Sequence, residues 1–146
     1  MSPYKFQMRT FRVTEPIDTG TNISGFQAAR TRFGAIFDEL DQDREHFALI
    51  ALNRRGDMLG YKVVGSGTTS ACLISPSVVF RSVIVLGGDA FVMAHNHPSG
   101  SLEPSEDDLV LTRTIKRGAE LLALQCVDHL IMARRPRAPW QARSII

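Results

Sequence analysis

Residues 45–52 read Glu-His-Phe-Ala-Leu-Ile-Ala-Leu, and after the first two no position is polar. A strand of that composition has no face to give to water, so it must lie inside a sheet covered on both sides. That requirement excludes an open hairpin, a helical bundle and a one-sided sheet, and it demands helices to supply the cover. The rest of the chain provides them. Residues 24–40 place Phe26, Ala29, Arg30, Phe33, Ile36, Phe37 and Leu40 on one helical face, with Ser24 as the expected N-cap. Asn53-Arg54-Arg55-Gly56-Asp57 is a turn, and residues 58–65 form a second strand, so the two strands make a hairpin. A Gly/Ser/Thr loop follows at 65–70, then a short extended piece at 71–74. Pro76 opens a helix that Gly87-Gly88 closes. A buried strand at 90–94, a long helix at 105–124 and a last strand at 126–132 complete the order αββ(β)αβαβ. The expected class is α/β (α+β), a mixed β-sheet flanked by helices, with residues 1–22 as an N-terminal arm and 23–146 as the single domain.

Composition sets the remaining bounds. Over 146 residues, 44% hydrophobic and 22% charged is enough apolar material for one core without disulfide staples. The apolar run at 90–94 is too short to span a bilayer, and residues 1–13 are basic without an apolar segment behind them, so neither a membrane span nor a secretory signal is expected. Cys72 and Cys126 form no C-x-x-C pair and read as buried, reduced thiols of a cytoplasmic protein. Seventeen Lys and Arg against fifteen acids give a net charge of +2, too mild to demand nucleic acid. Four arginines (134, 135, 137 and 143) sit in a tail without acids, and such a tail is expected to be solvated.

Chemistry concentrates in Ala94-His95-Asn96-His97-Pro98-Ser99-Gly100, followed by Ser105-Glu106-Asp107-Asp108. His95 and His97 lie two apart on extended chain, so both imidazoles reach one side, as two legs of a tetrahedral zinc site would. A third ligand is available at the start of the next helix. Ser105-x-x-Asp108 also has the form of a helix cap, which would explain both residues without a metal. Helical phase argues against capping alone. Asp108 shares its face with Leu111, Ile115, Ala119 and Leu122, where an unpaired carboxylate is costly and a cation would neutralise it. His46 faces opposite Glu45 and is expected to pack or to lie exposed; Asp128-His129 is expected to be structural; Asn96 points away from the histidines and is expected to fix the turn. A nuclease reading of His-Asn-His does not fit, because those nucleases spread the residues over a ββα element. A nucleobase-deaminase reading needs H-x-E and P-C-x-x-C, and the chain has neither.

The spacing H-x-H-P, six residues, S, two residues, D resembles the JAMM (MPN+) metalloprotease motif. The wider string from His95 to Gly100 with Pro104, Ser105 and Asp108 resembles its RadC-like branch, as do Gly118-Ala119-Glu120-Leu121-Leu122 and Asp128-His129-Leu130-Ile131. That resemblance covers residues 44–132. It implies a single MPN/JAB domain of cytidine-deaminase-like architecture. It implies one Zn2+ per chain on His95, His97 and Asp108, with Glu45 as general base and then acid, and Ser105 as hydrogen-bond donor to the oxyanion. The implied partner is a peptide or isopeptide substrate cleaved at an amide bond, and zinc suits two imidazoles and a carboxylate, although other first-row ions accept similar ligands. The sequence departs from the RadC pattern in three places. Only about forty residues precede Glu45, leaving no room for a helix-hairpin-helix module. Pro76-Ser77 replaces Pro-Arg, and the tail after Met132 lacks the usual Gly/Tyr/Ser ending. Two other functions compete: a DNA-maintenance accessory module with a structural metal, weakly favoured by the basic tail, and an MPN-minus scaffold, against which the intact set of five residues argues.

Overall fold

The computed structural model describes residues 21–67 and 74–146. The expected arm at 1–20, the loop at 68–70 and the extended piece at 71–73 with Cys72 lie outside the described residues. The elements are α1 (Phe26–Asp38), β1 (His46–Leu52), β2 (Met58–Ser66), α2 (Pro76–Val85), β3 (Ala90–Asn96), α3 (Glu106–Leu121), β4 (Gln125–Ala133) and β5 (Gln141–Ser144). One five-stranded sheet runs in the order β2-β1-β3-β4-β5. The β1–β2, β1–β3 and β4–β5 pairs are antiparallel, and β3–β4 is parallel. A parallel pair needs a crossover, and α3 provides it.

Every residue of β1 and of β3 is buried, as the continuous apolar run requires. Side chains alternate along a strand, so parity assigns each to one of two cores. Ala48, Ile50, Leu52, Val92 and Ala94 pack with Phe33, Ile36 and Phe37 of α1. Phe47, Leu49, Phe91 and Met93 pack with Val79 and Val83 of α2 and Ile115 and Ala119 of α3. Each fully buried side chain of this size stabilises the fold by about 1.5–3 kcal/mol. The odd-numbered parity has a functional consequence, because Glu45, His95 and His129 follow Phe47 and Met93 onto the α3 side.

Local signals were met with three corrections. Gly25, at φ 94, is the N-cap of α1, and no side chain caps it, so Ser24 does not have that role. α3 ends at Leu121, three residues short of expectation, because Ala123 turns to φ 55. The arginine tail is not simply solvated. It forms β5, Arg143 pairs with Glu103 at 2.7 Å, and Arg134 pairs with Asp38 at 2.7 Å while stacking over Trp140. Gly87, at φ 74, closes α2 as expected. Thr21 and Asn22 bond to the β1–β2 turn through Met58 and Asp57. Cys126 is a free, half-buried thiol that burial pushes up to about 12. Among the described residues no helix is long and apolar enough to cross a membrane.

Candidate metal centre

β3 ends at the edge of the α3 face, and its last inward side chain is His95; His97 follows where the chain leaves the sheet. The His97 N–H donates to the Met132 carbonyl at 2.8 Å, so the turn is tied to β4. His97 Nδ1 then reaches the Ser101 carbonyl at 2.9 Å, and because a carbonyl only accepts, Nδ1 carries the proton. His97 Nε2 is therefore the bare nitrogen, and it points inward.

The start of α3 supplies the carboxylate. Ser105 Oγ accepts from the Asp108 N–H at 3.0 Å and Asp108 Oδ2 accepts from the Ser105 N–H at 2.9 Å, a complete capping box. The cap and the candidate ligand are thus the same residue. While capping, Asp108 stands 3.3 Å from His95 Nε2 through Oδ1 and 3.3 Å from His97 Nε2 through Oδ2. The two imidazole nitrogens are 3.0 Å apart. Ligand atoms about 2.0–2.1 Å from a tetrahedral ion lie about 3.3–3.4 Å from one another. The separations are of about that length, with one Asp108 oxygen facing each imidazole.

Glu45 precedes β1 and is 6% exposed. Its Oε1 is 4.0 Å from His95 Nε2, longer than those separations, and all four side chains offer atoms within 4.8 Å of one another. Asn96 holds this residue from the opposite face of the sheet. Its Oδ1 accepts from the His46 N–H at 2.7 Å and its Nδ2 donates to the Arg44 carbonyl at 2.9 Å, bracketing Glu45 on both sides. Asn96 was expected to fix the turn; both of its side-chain bonds go instead to the start of β1. His46 packs between Ser66 Oγ and the Asp41 carbonyl, each at 2.6 Å.

The electrostatics agree with a cation site. Burial pushes the Glu45 carboxyl above its ordinary range, partly offset by His95 and His97. Burial acts the same way on Asp108, but its bonds to the two imidazoles and to the Ser105 backbone outweigh it and hold the carboxyl far below the ordinary value. His97 is raised, chiefly by Asp108. Two bare nitrogens facing each other beside a carboxylate repel unless a proton or a metal ion sits between them, so the donor set fits a bound metal.

His129, expected to be structural, turns out to belong to the site. It is fully buried, with Nε2 at 2.9 Å from His95 Nδ1 and Nδ1 at 2.7 Å from Thr112 Oγ1. The Phe47 ring stacks parallel to His95 and meets His129 edge-on, closing the site toward the core. A cleft of about 260 Å³ is walled by Asn96, Pro98, Arg137 and Trp140, and His97 is the one candidate ligand that lines it.

Comparison with known sequences matches the RadC-like JAB domain family over residues 26–140. The chain belongs to that family. The match reaches through α1 and to Trp140, further at both ends than the sequence resemblance. A UPF0758 protein of Synechocystis sp. is 43% identical over 95 residues, 65% of this chain and 39% of that protein. UPF0758 proteins of Trichormus variabilis and Microcystis aeruginosa are 42% and 41% identical over 95 and 91 residues, covering 65% and 62% of this chain and 39% and 37% of theirs. The chain therefore spans about two-fifths of the length of these curated relatives, and its mixed five-stranded sheet with flanking helices is that of a single JAB domain.

Proposed function

We propose that this RadC-like JAB domain is a zinc-dependent hydrolase of amide bonds, a peptidase or isopeptidase. The observation that carries the reading is the convergence of His95 Nε2, His97 Nε2 and the Asp108 carboxylate, with a buried glutamate set back from them. Zinc held by those three side chains supplies a water acidified toward neutrality and polarises the carbonyl under attack.

The chain's own residues do the rest. Glu45 collects the proton of the attacking water at a carboxylate oxygen and returns it to the leaving amine. Its raised affinity for protons, caused by burial, suits a group that must both take and give near neutrality. Ser105 Oγ already accepts from the Asp108 N–H, which leaves its own O–H free to donate to the oxyanion. The His97 and Asp108 side chains are 13% and 15% exposed, so this edge of the cluster is open to solvent and to a substrate.

Elemental analysis of purified protein tests the first half of the reading. About one zinc per chain is expected in the wild type, with loss in His97→Ala and Asp108→Ala. Amide and isopeptide substrates then test the second half, with Glu45→Gln as a variant that keeps the metal and loses turnover. A zinc-free wild type, even after zinc is supplied, ends the reading. The competing role is an accessory module for DNA maintenance with a structural metal, which draws on the exposed Arg135 and Arg137. A steep salt dependence of DNA binding would support it, and no binding at moderate salt would sink it.

A further inference from the structure

We infer that His129 and Thr112 are positioning residues that fix the tautomer of His95 and preset it for metal, through a hydrogen-bond chain of a single polarity. The affinity part of this inference rests on the metal reading above; the polarity does not.

The polarity follows from counting hydrogens. Thr112 Oγ1 is 2.7 Å from the Asp108 carbonyl and 2.7 Å from His129 Nδ1. Each contact is too short to stand without a hydrogen. The carbonyl has none to give and the hydroxyl has one, so Thr112 donates to Asp108 and His129 Nδ1–H donates to Thr112. A neutral His129 then has a bare Nε2, and its 2.9 Å contact with His95 requires the proton on His95 Nδ1. His95 Nε2 is left bare, facing Asp108 and His97. The chain runs His95 → His129 → Thr112 → the backbone carbonyl of Asp108, so it starts on one candidate ligand and ends on another. It also ties β3, β4 and α3 together at the point where they converge.

The identity of the middle member matters. A metal-binding histidine is usually oriented by a carboxylate, a carbonyl or water. A carboxylate at 129 would be a third buried negative group beside Glu45 and Asp108. A neutral imidazole sets the same tautomer without adding charge. It reads as a plain core histidine because its three partners come from three different elements, and a lone histidine on an apolar strand reveals none of them.

The experiment uses the full chain with Thr112→Val, which keeps the shape and removes the hydroxyl, and Thr112→Ser, which restores it. His129→Phe is a second, harsher variant. Nitrogen NMR of metal-free wild type at mildly alkaline pH is expected to show His95 protonated at Nδ1 and bare at Nε2. Competition against a chromophoric chelator is expected to show zinc binding weakened by about 10–100-fold in Thr112→Val and largely recovered in Thr112→Ser. A proton on His95 Nε2, or Thr112→Val with wild-type affinity and an unchanged tautomer, would overturn the inference. Should the wild type take up no zinc, the metal reading falls, while the tautomer measured in the metal-free protein still decides the chain's polarity.

Discussion

Glu45 is held by its neighbours' backbone more than by its own side chain. The Asn96 amide brackets it, and the Gly67 N–H donates to its carbonyl at 2.8 Å, so the carboxylate is aimed into a buried corner with no hydrogen bond of its own to repay the burial. This has a consequence for stability. The folded-state pKa of Glu45 is raised above its ordinary 4.5, so the folded chain binds the proton more tightly than the unfolded one. Stability from this group is full below 4.5 and is lost as pH climbs through the raised value. In chelator-treated protein, Glu45→Gln should therefore gain stability over the wild type as pH rises from 4.5, levelling off above the raised pKa. Urea midpoints at several pH values check this, and a difference that stays flat with pH would contradict it. His95 and His97 were legible in sequence because their spacing on extended chain needs only one segment to be read, whereas Glu45 was reached only through the family resemblance. His129 was not legible, because its role depends on Met93↔His129 pairing and on a threonine seventeen residues away on α3.

α3 does two jobs with its first turn, and they can be separated. Glu106, Asp107 and Asp108 all favour the positive end of the helix, and Ser105 closes the box. Replacing an N-cap serine by alanine costs about 1 kcal/mol, whereas glycine costs only a few tenths. Ser105→Ala and Ser105→Gly should thus differ in thermal stability. If the hydroxyl donates to the oxyanion, both should lose turnover alike, by about 10²–10³-fold. Turnover that follows stability instead would reduce Ser105 to a cap. Sequence phase put Asp108 on the inward face and argued against capping alone; Asp108 caps α3 while it stands 3.3 Å from each imidazole. β5 was illegible for a different reason. Three of its four residues are exposed and none is large and apolar, and the signal that could have found it is Trp140, the one tryptophan, in an arginine-rich tail. That ring packs against Phe37, and its Cδ1 stands 2.9 Å from where a Cβ on Gly34 would be, so a glycine on α1 makes the space.

At the scale of the whole molecule, the candidate ligands come from a strand end and a helix start, with Glu45 before another strand. Any ion that bridges them binds the folded state alone. Free zinc at 100 times its dissociation constant should add about 2.7 kcal/mol. For a domain of this size, that corresponds to a rise in Tm of about 8–11 °C. Differential scanning calorimetry should show the rise, a chelator should reverse it, and His97→Ala should abolish it. A wild-type Tm indifferent to zinc would contradict the prediction. Both cores follow from apolar runs that the sequence displays openly, which is why a mixed sheet covered by helices was readable before the strand order and the site's outer contacts were.

The wall of the cleft beside His97 hangs from other parts of the chain than the candidate ligands do. Arg137 and Trp140 lie between β4 and β5, anchored by the Arg134–Asp38 pair and by Phe37 of α1, while the hydrogen-bond chain behind His95 runs through β3, β4 and α3. Inheritance can therefore treat the two separately. A lineage could rewrite the seven residues from Arg134 to Trp140 and reshape that wall, while the candidate ligands and the bonds behind them descended unchanged.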